Sequence, residues 1–472
     1  MEGNVRRTAF WVASALLGCA HPVRGTIGSG SSTTGVGGAT SAIAASSTGS
    51  LGPPDPAPAD PDPSFYPNGP DPTVSVSPQS NAETESSILY APTTLPVVVT
   101  WKAEPVVGPS FVGYALSTDG LTFGGPQVLP TPTGEAAREP TLGWTGFTVD
   151  IAWLAFDSNG GTDANTHIYA ADLAPGASAF GAPTEVTNPA DLGTTYSSPR
   201  QLLGAGPAII TYAYRNQGDS GIVASSRLAD GTWQRKVLAH SDPAQATLEL
   251  PTGTWDGTVS SFNIAYIVRQ AASNALAVHL LHGDGIGGWQ DSVVSLPNEP
   301  VASVTPGVIT PGITANAPGS TEHVWVSYGL ATNSGNPQPA ATLSDIRLAE
   351  SEDGGVTFPI RKSAQATNVG PVSASPSFTS GLGGAMDLVY YAGAGEGDAA
   401  ASLAWARDYG FSGFLAMPKV AAAPVVFEQN PSASSWLGDM IGVSSSPFRL
   451  YVSYVDNTSG ASHIRVHRVR TI

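Results

Sequence analysis

The amino-acid sequence predicts an all-β fold, a β-propeller built from four-stranded blades. The first observation is a tight turn that ends in an aromatic residue and recurs along the chain. Its clear copies span Asp119–Phe123, Asp230–Trp233, Asp284–Trp289 and Asp353–Phe358, and weaker copies end at Phe180 and Phe414. Successive aromatic residues are separated by 53 to 69 residues. A repeated unit of nearly constant length indicates a repeat architecture, and this length fits propeller blades with long loops.

The second observation is a series of short apolar strands that runs out of phase with the turns. Seven such strands end in an aromatic residue, at Trp101, Trp153, Tyr212, Tyr266, Tyr328, Tyr390 and Tyr454. Each is rich in β-branched residues and is followed by a turn-forming stretch and a further strand, the pattern of a four-stranded blade. No segment has a sustained helical period. The series predicts seven blades, with six as the alternative.

Composition and charge argue against binding to two kinds of partner, nucleic acid and anionic lipid. The chain has 54 glycines and 40 prolines in 472 residues, and only 12% of its residues are charged, which is typical of a turn-rich globular protein. The formal net charge is −17. Such an acidic surface argues against binding to nucleic acid or to anionic lipid, both of which need basic patches.

The N-terminus predicts export. Arg6 and Arg7 precede an apolar run of eleven residues, Thr8–Gly18, which is too short to span a bilayer and therefore reads as a signal peptide over residues 1–18. The sequence Leu-Leu-Gly-Cys that ends at Cys19 resembles the lipobox of bacterial lipoproteins. That resemblance implies a lipid on Cys19 and a place in the bacterial cell envelope, at the outer membrane or cell surface. An ordinary secretory signal is the alternative. Cys19 is the only cysteine, so no intramolecular disulfide can form.

The next segment, residues 19–85, predicts a tether: it is rich in Gly and Ser at first and then in Pro, over Pro53–Pro63. The propeller is predicted over residues 86–472. The last repeat ends at the chain terminus without room for an outermost strand. We therefore expect the alternating segment Thr73–Ser77 to pair with the last blade, since an open sheet edge promotes association.

The turn Ser351–Phe358 resembles the Asp-box, or BNR, repeat of sialidases and related propellers, and Ser117–Phe123 is one residue shorter. Near the C-terminus, Trp436–Gly442 followed by Tyr451–Asp456 resembles the last blade of bacterial sialidase-like proteins, with Met440 in place of an aromatic residue. The resemblance implies a structural role for the turns, at the rim and away from any catalytic centre. We expect Asp119, Asp230 and Asp353 to accept local backbone hydrogen bonds, and Phe123, Trp233 and Phe358 to be buried between sheets.

The same resemblance defines what a catalytic site would need: three arginines on the substrate carboxylate, a Tyr–Glu nucleophile pair and an acid/base Asp. The arginine motif that starts the first blade in that family is absent here. Arg138, before Glu139 and Pro140, begins the second blade, and Arg200 occupies the equivalent strand of the third. Ionisable residues predicted on or beside the inner strands are the ligand-binding candidates: Arg138, Glu139, Arg200, Glu249 and Asp439. No catalytic residue is assigned.

The sequence predicts no metal site and no cofactor. The loop Asp157–Asp163 resembles a calcium loop but lacks a closing bidentate Glu, so a Gly-rich hairpin turn is preferred and calcium is the alternative. His279 and His282 lie three residues apart on a predicted strand and would point to opposite faces, which excludes a shared metal ion.

Three functions follow from these observations. The first is a monomeric, lipid-anchored, extracytoplasmic propeller that binds a glycan or a protein without turnover and meets the membrane only through its N-terminal lipid. The second is a sialidase-type glycoside hydrolase with a divergent arginine clamp. The third is a purely structural envelope protein. A propeller fold by itself does not select among them.

Overall fold

The computed structural model describes residues 74–77, 82–91, 97–132, 134–157, 165–188, 193–202, 208–256, 261–283, 288–301, 311–316, 323–331, 343–363, 372–380, 386–393, 402–408, 415–417, 441–446, 449–457 and 462–470. These residues form 28 strands in seven sheets, each with four antiparallel strands. None of them forms a helix long and apolar enough to cross a membrane.

Each of the first three blades is contiguous in sequence. Blade 1 contains β2 (Ala82–Tyr90), β3 (Val97–Glu104), β4 (Phe111–Ser117) and β5 (Gln127–Val128). Blade 2 contains β6 (Glu135–Trp144), β7 (Val149–Asp157), β8 (His167–Leu173) and β9 (Thr184–Glu185). Blade 3 contains β10 (Thr195–Gln201), β11 (Ile209–Arg215), β12 (Ser220–Arg227) and β13 (Trp233–Ser241).

The next three blades repeat that order, and the seventh combines both ends of the chain. Blade 4 contains β14 (Ala246–Asp256), β15 (Ser261–Gln270), β16 (Leu276–Gly283) and β17 (Trp289–Val293). Blade 5 contains β18 (Gly312–Asn316), β19 (His323–Ala331), β20 (Leu343–Ser351) and β21 (Ile360–Ser363). Blade 6 contains β22 (Val372–Ser380), β23 (Met386–Gly393), β24 (Ser402–Asp408) and β25 (Leu415–Met417). Blade 7 contains β26 (Gly442–Ser446), β27 (Arg449–Asp456), β28 (His463–Arg470) and β1 (Val74–Ser75).

The sheets form a closed ring. The first strand of each blade contacts the first strand of the next, in the order β2, β6, β10, β14, β18, β22, β26 and back to β2. These seven strands are therefore the innermost ones and surround the central axis, as in a β-propeller. The prediction of seven blades is confirmed, and the alternative of six is not.

The aromatic residues that end the predicted strands form the core between blades. Each lies on the second strand of its blade, and all seven are at most 2% exposed: Trp101, Trp153, Tyr212, Tyr266, Tyr328, Tyr390 and Tyr454. Tyr391 is buried beside Tyr390, so core packing accounts for this tyrosine pair. Burial of large apolar surface at the same place in every blade explains why the repeat is visible in the sequence.

The N-terminal side of the chain closes the ring, as predicted. Val74 pairs with Val466 and Ser75 with Arg465, so β1 is the outermost strand of blade 7. The backbone N–H of Val76 then donates to the carbonyl of Ile464 at 3.2 Å. Since β2 begins at Ala82, the propeller starts upstream of the predicted boundary at residue 86.

A buried polar cluster holds this closure in place. The Ser77 hydroxyl donates to Glu83 Oε2 at 3.0 Å, and His463 Nδ1 lies 3.1 Å from the same oxygen. The Ser77 hydroxyl also accepts the N–H of Ile464, so the cluster joins the incoming segment, blade 1 and β28.

Burial raises the pKa of Glu83 to about 8, although the bond from Ser77 acts to lower it. Burial and the nearby Arg465 lower the pKa of His463.

Glu83 gives the fold a specific pH dependence. Its folded-state pKa lies above the unfolded value, so its contribution to stability is full below about pH 4.5 and decreases as the pH rises to about 8. In Glu83→Gln an amide oxygen replaces the carboxyl oxygen that accepts the bond from Ser77. We expect this variant to have a flatter stability profile between these two pH values. The slope for one such proton is at most about 1.4 kcal/mol per pH unit. Urea unfolding of both proteins across this range measures it; parallel profiles would exclude Glu83 as the titrating group.

The aspartate turns connect the third and fourth strands of their blades, far from the innermost strands. The backbone N–H groups of Leu121 and Thr122 donate to Asp119 Oδ1 at 2.8 and 2.7 Å, and these bonds lower the pKa of Asp119 to about 2. Asp230 and Asp353 accept equivalent local bonds. The predicted local hydrogen bonding is thus confirmed for these three aspartates. The remaining turn begins at Asp284, which lies outside the described residues.

Burial of the turn aromatics was only partly predicted correctly. Phe358 is 5% exposed and belongs to the core between blades 4 and 5. Phe123 and Trp233 are only half-buried, although they pack against the cores between blades 7 and 1 and between blades 2 and 3. The expectation of full burial is wrong for these two, because they follow shorter turns at the outer edge, where one side of the ring faces solvent.

Candidate functional site

A bulge interrupts five of the seven innermost strands, at an equivalent position in each. The pairing register shifts between Thr84 and Ser87 in β2, Arg138 and Thr141 in β6, Ser197 and Arg200 in β10, Glu249 and Thr252 in β14, and Ala374 and Ser377 in β22. In four of these bulges a non-glycine residue has a left-handed backbone, with φ between 52° and 55°: Glu85, Glu139, Ser198 and Leu250. Bulges of this kind redirect side chains locally.

Two of these bulge residues connect neighbouring blades through their carboxylates. Glu85 Oε2 accepts the backbone N–H of Glu139 at 2.6 Å, and Glu139 Oε2 accepts the backbone N–H of Ser198 at 2.6 Å. Each N–H···carboxylate bond is charge-assisted and joins one blade to the next. The candidate Glu139 is therefore bonded between blades 2 and 3, which makes it a structural residue of the ring.

A group of charged side chains surrounds this connection. Lys102 Nζ lies 2.5 Å from Glu104 Oε1 and 3.8 Å from Glu85 Oε1. Burial acts to lower the pKa of Lys102, but the two carboxylates outweigh it and the pKa is raised. Arg138 Nε lies 3.3 Å from Glu139 Oε1, and the Arg138 guanidinium lies 5.0 Å from the centre of the Phe156 ring. These cations are held by neighbours within the protein.

The remaining candidates have other partners. Arg200 is 6% exposed, and its Nη1 donates to the carbonyl of Pro199 at 2.8 Å. Glu249 accepts two bonds from Arg269, at 2.9 and 3.0 Å, and a third from Thr247. Asp439 lies outside the described residues. The structure thus brings Arg138 and Glu139 together, whereas Arg200 and Glu249 form separate contacts on blades 3 and 4.

The metal expectations have a mixed outcome. His279 Nδ1 lies 3.2 Å from Asp291 Oδ2, while His282 Nδ1 lies 2.8 Å from Asn263 Oδ1. The two histidines therefore have different partners, in agreement with the argument from strand alternation. The calcium alternative rests on the loop after Asp157, whose next seven residues lie outside the described residues.

An open groove lies on the face of the propeller where β6 begins. Its volume is about 610 Å³, and it runs between the β3–β4 loop and the connection from blade 1 to blade 2. Its walls are mainly apolar, and they include Val107, Phe111, Val128, Pro130, Pro132 and the acidic Glu135. Val106, Val107 and Val128 are 92%, 88% and 58% exposed, which is unusual for valines so close together.

Hydrogen bonds fix both walls of the groove. The Ser110 hydroxyl donates to the carbonyl of Ala137 at 3.0 Å, and the N–H of Ala137 donates to the carbonyl of Ser110 at 2.8 Å. On the other wall, the N–H of Leu129 donates to the carbonyl of Val112 at 3.0 Å. The groove is therefore attached to β4 and β6 and is formed before any ligand arrives.

The part of the groove around Glu135 is acidic. Burial raises the pKa of Glu135, and the carboxylates of Glu185 and Asp157 raise it further, while His167 opposes them. His167 Nδ1 lies 2.9 Å from Glu185 Oε1. Three carboxyl groups beside one imidazole give this part of the groove a negative potential, which favours cationic ligand groups and disfavours anionic ones.

Two features of this site escaped the sequence analysis. Each bulge has two residues between the paired positions on either side. In four of the five bulges the second of these two residues is proline: Pro140, Pro199, Pro251 and Pro376. Proline suits a bulge because no ladder hydrogen bond needs its missing N–H. Its recurrence was a usable signal for these positions. The groove itself was marked only by two valines between Pro105 and Pro109, a weak signal in a proline-rich chain.

Comparisons with known proteins give a likeness of architecture. No protein-family model matches the chain, and no curated protein matches it. Among solved structures, a protein of unknown function from Dyadobacter fermentans DSM 18053 is 13% identical, with a TM-score of 0.48 over 86% of this chain and 99% of that one. A sialidase from Trypanosoma rangeli in complex with sialic acid is 12% identical, with a TM-score of 0.48 over 69% of this chain and 54% of that one. The α-L-arabinanase of Penicillium chrysogenum is 11% identical, with a TM-score of 0.43 over 85% and 98%.

These solved structures include sialidases. This chain spans about half the length of the Trypanosoma rangeli sialidase. At such low identities and scores the likeness carries no argument about activity.

Proposed function

We propose that this protein is a lipid-anchored, extracytoplasmic propeller that binds a polypeptide segment in the groove on blades 1 and 2, without turnover. The segment would have an apolar stretch next to a lysine or arginine. The observation that carries the proposal is the preformed, mainly apolar groove whose lining includes the carboxyl group of Glu135. A protein ligand is preferred over a glycan because the walls are valine, proline and phenylalanine, and few polar groups are available for sugar hydroxyls.

The charge of the groove supports a basic segment. An apolar stretch would cover the exposed Val107 and Val128, and an adjacent cation would lie near Glu135 and Glu185. Burial of two exposed valines contributes about 25 cal/mol per Å² of apolar surface removed from water. The charge pair adds mainly to orientation and association rate. The net charge of −17 acts in the same direction over a longer range.

The contacts of the inner strands support binding without hydrolysis. A sialidase-type site needs arginines that are open to the substrate carboxylate. Arg138 is held by Glu139 and Phe156, and the buried Arg200 bonds to the carbonyl of Pro199. Recruiting them would cost those interactions. We also assign the aspartate turns to structural Asp-box repeats, an assignment supported by the hydrogen bonds that Asp119 and Asp353 accept.

The anchoring part of the proposal rests on Cys19. Two observations support it: Cys19 follows an eleven-residue apolar run, and it is the sole cysteine of the chain. We expect wild-type protein to fractionate with membranes and Cys19→Ser to appear in the soluble fraction, because the substitution removes the sulfur that would carry the lipid. Full membrane retention of Cys19→Ser would contradict the anchor and leave the groove proposal untouched.

The groove is tested with a displayed library of short random peptides, selected on the full-length chain. We expect selected peptides to combine apolar residues with Lys or Arg. Their affinity should fall roughly 10-fold or more for Val107→Asp, which places a charge in the apolar wall. Glu135→Gln should weaken basic peptides selectively. Phe147→Asp is the matched control, since Phe147 is 80% exposed on the β6–β7 hairpin at the opposite end of β6. Isothermal titration calorimetry measures all four proteins.

Two outcomes would overturn this function. Peptides that bind wild type and Val107→Asp equally would place the binding surface elsewhere. Hydrolysis of a fluorogenic sialoside by the wild-type chain, abolished in Arg138→Ala or Arg200→Ala, would establish the hydrolase instead.

A further inference from the structure

A second cluster of potential ligands lies on blade 5, away from the groove. β19 and β20 are antiparallel, with Val324 opposite Ser351 and Trp325 opposite Glu350. One step further along this register, His323 lies opposite Glu352. Opposite residues share a face and residues two apart share a face. The register therefore places His323, Glu350 and Glu352 on one face, at the end of the blade that carries the aspartate turn.

The three side chains converge. One imidazole nitrogen of His323 and one carboxylate oxygen from each of Glu350 and Glu352 lie within 4.8 Å of one another. The solvent-shielded Nδ1 of His323 is 3.8 Å from Glu350 Oε1, longer than a hydrogen bond. Zinc binds imidazole nitrogen and carboxylate oxygen at about 2.0–2.2 Å, which separates the donors of a tetrahedral ion by roughly 3.3–3.5 Å. Small side-chain rotations would bring these donors to that separation.

The surroundings hold two of the three ligands in position. The His323 ring stacks on Trp325, with centroids 5.6 Å apart and an angle of 21° between the planes. The turn that carries Glu352 is fixed by Ser351, whose hydroxyl donates to Asp353 Oδ1 at 2.7 Å and accepts the N–H of Gly355. Packing and hydrogen bonds of this kind preorganise a metal site.

The local charge favours a cation. Glu350 and Glu352 each bring a carboxylate oxygen to the cluster. Arg361 lies opposite Ala349 on the neighbouring strand and therefore on the other face, where its guanidinium donates to the carbonyls of Phe358 and Val294. A divalent ion would relieve the repulsion between Glu350 and Glu352.

We propose that His323, Glu350 and Glu352 bind one zinc ion, with the fourth coordination position open to water or to a donor from a ligand. One imidazole and two carboxylates form a donor set that suits zinc better than calcium or magnesium, which prefer oxygen ligands alone. The site joins two strands of blade 5 to its aspartate turn, so the bound ion would stabilise this end of the blade. The proposal is independent of the peptide groove.

Titration of zinc alone into the full-length chain tests the site, after removal of metal with a chelator and alkylation of Cys19. We expect one ion per chain by calorimetry, and a higher melting temperature with zinc. His323→Gln should weaken binding roughly 100-fold or more, and Glu352→Gln at least about 10-fold, since even outer-shell changes cost 10- to 100-fold. His279→Gln is the matched control, because this strand histidine also lies beside a carboxylate and should leave zinc affinity unchanged.

A conservative variant guards against misfolding. Glu352 is exposed, so Glu352→Gln should melt at the wild-type temperature in the presence of chelator, and a loss of zinc affinity in that variant then reports coordination. Equal zinc affinity in wild type, His323→Gln and Glu352→Gln would refute the site, as would loss of binding in His279→Gln instead.

Discussion

Replacement of Val76 by aspartate is expected to destabilise the propeller by at least about 3 kcal/mol. Val76 follows β1 and is 5% exposed, and it packs in a core shared by blades 1, 6 and 7. A carboxylate there would be buried among apolar side chains without a partner, a substitution that typically costs several kcal/mol. The loss should be cooperative, because β1 covers the edge of blade 7 and Val76 itself bonds to Ile464.

The matched control for this experiment is the preceding residue. Ser75 is exposed on the same segment, so Ser75→Asp adds the same charge without burying it and should change stability by less than about 0.5 kcal/mol. Urea unfolding followed by tryptophan fluorescence compares the two midpoints. Similar midpoints for Val76→Asp and Ser75→Asp would show that closure by the N-terminal segment contributes little.

Replacement of Trp153 by alanine is expected to cost about 3–5 kcal/mol, the usual range for removing a buried aromatic side chain. Trp153 is fully buried between blades 1 and 2, and its ring stacks on Tyr169 with centroids 6.0 Å apart. Because the residue belongs to the repeated second-strand position, its loss would open a cavity between two blades and weaken their contact.

Two further variants serve as comparisons for Trp153→Ala. Trp153→Phe keeps an aromatic ring in the core and should cost markedly less than Trp153→Ala. Phe147→Ala removes an aromatic residue from the same blade, but the side chain is 80% exposed and the change should stay within about 0.5 kcal/mol. Thermal melting ranks the three. A loss for Trp153→Ala no larger than that for Phe147→Ala would contradict the assignment of this series to the core.

Most of the fold could be predicted from the sequence because its repeat is carried by buried residues. The second-strand aromatics, from Trp101 to Tyr454, fill equivalent places between blades, so the period of the core is the period of the sequence. The closing strand was predictable because the last repeat lacks an outer strand and one alternating segment precedes the first blade. The exact start of blade 1 was not, since Ala82–Ser86 has few apolar residues and is stabilised by buried polar contacts such as that between Ser77 and Glu83.

The candidate site was predicted less well, for a physical reason. Sequence reasoning correctly placed Arg138, Glu139, Arg200 and Glu249 on inner strands. Their partners, which are neighbouring side chains and the backbone, could not be predicted, because such contacts depend on bulges and on distances between blades. The groove depends on how two loops lie against each other, and the zinc ligands depend on the register of β19 and β20. Neither is encoded in a local motif.

The central claim is that a polypeptide binds in the groove on blades 1 and 2, and hydrogen–deuterium exchange tests it most directly. The full-length chain is compared with and without a peptide selected on it. We predict slower amide exchange at residues 107–111, 128–132 and 134–135, which line the groove, and no change in the hairpin around Phe147 at the other end of β6. Protection confined to that hairpin, or spread over other blades while the groove exchanges as before, would contradict the account.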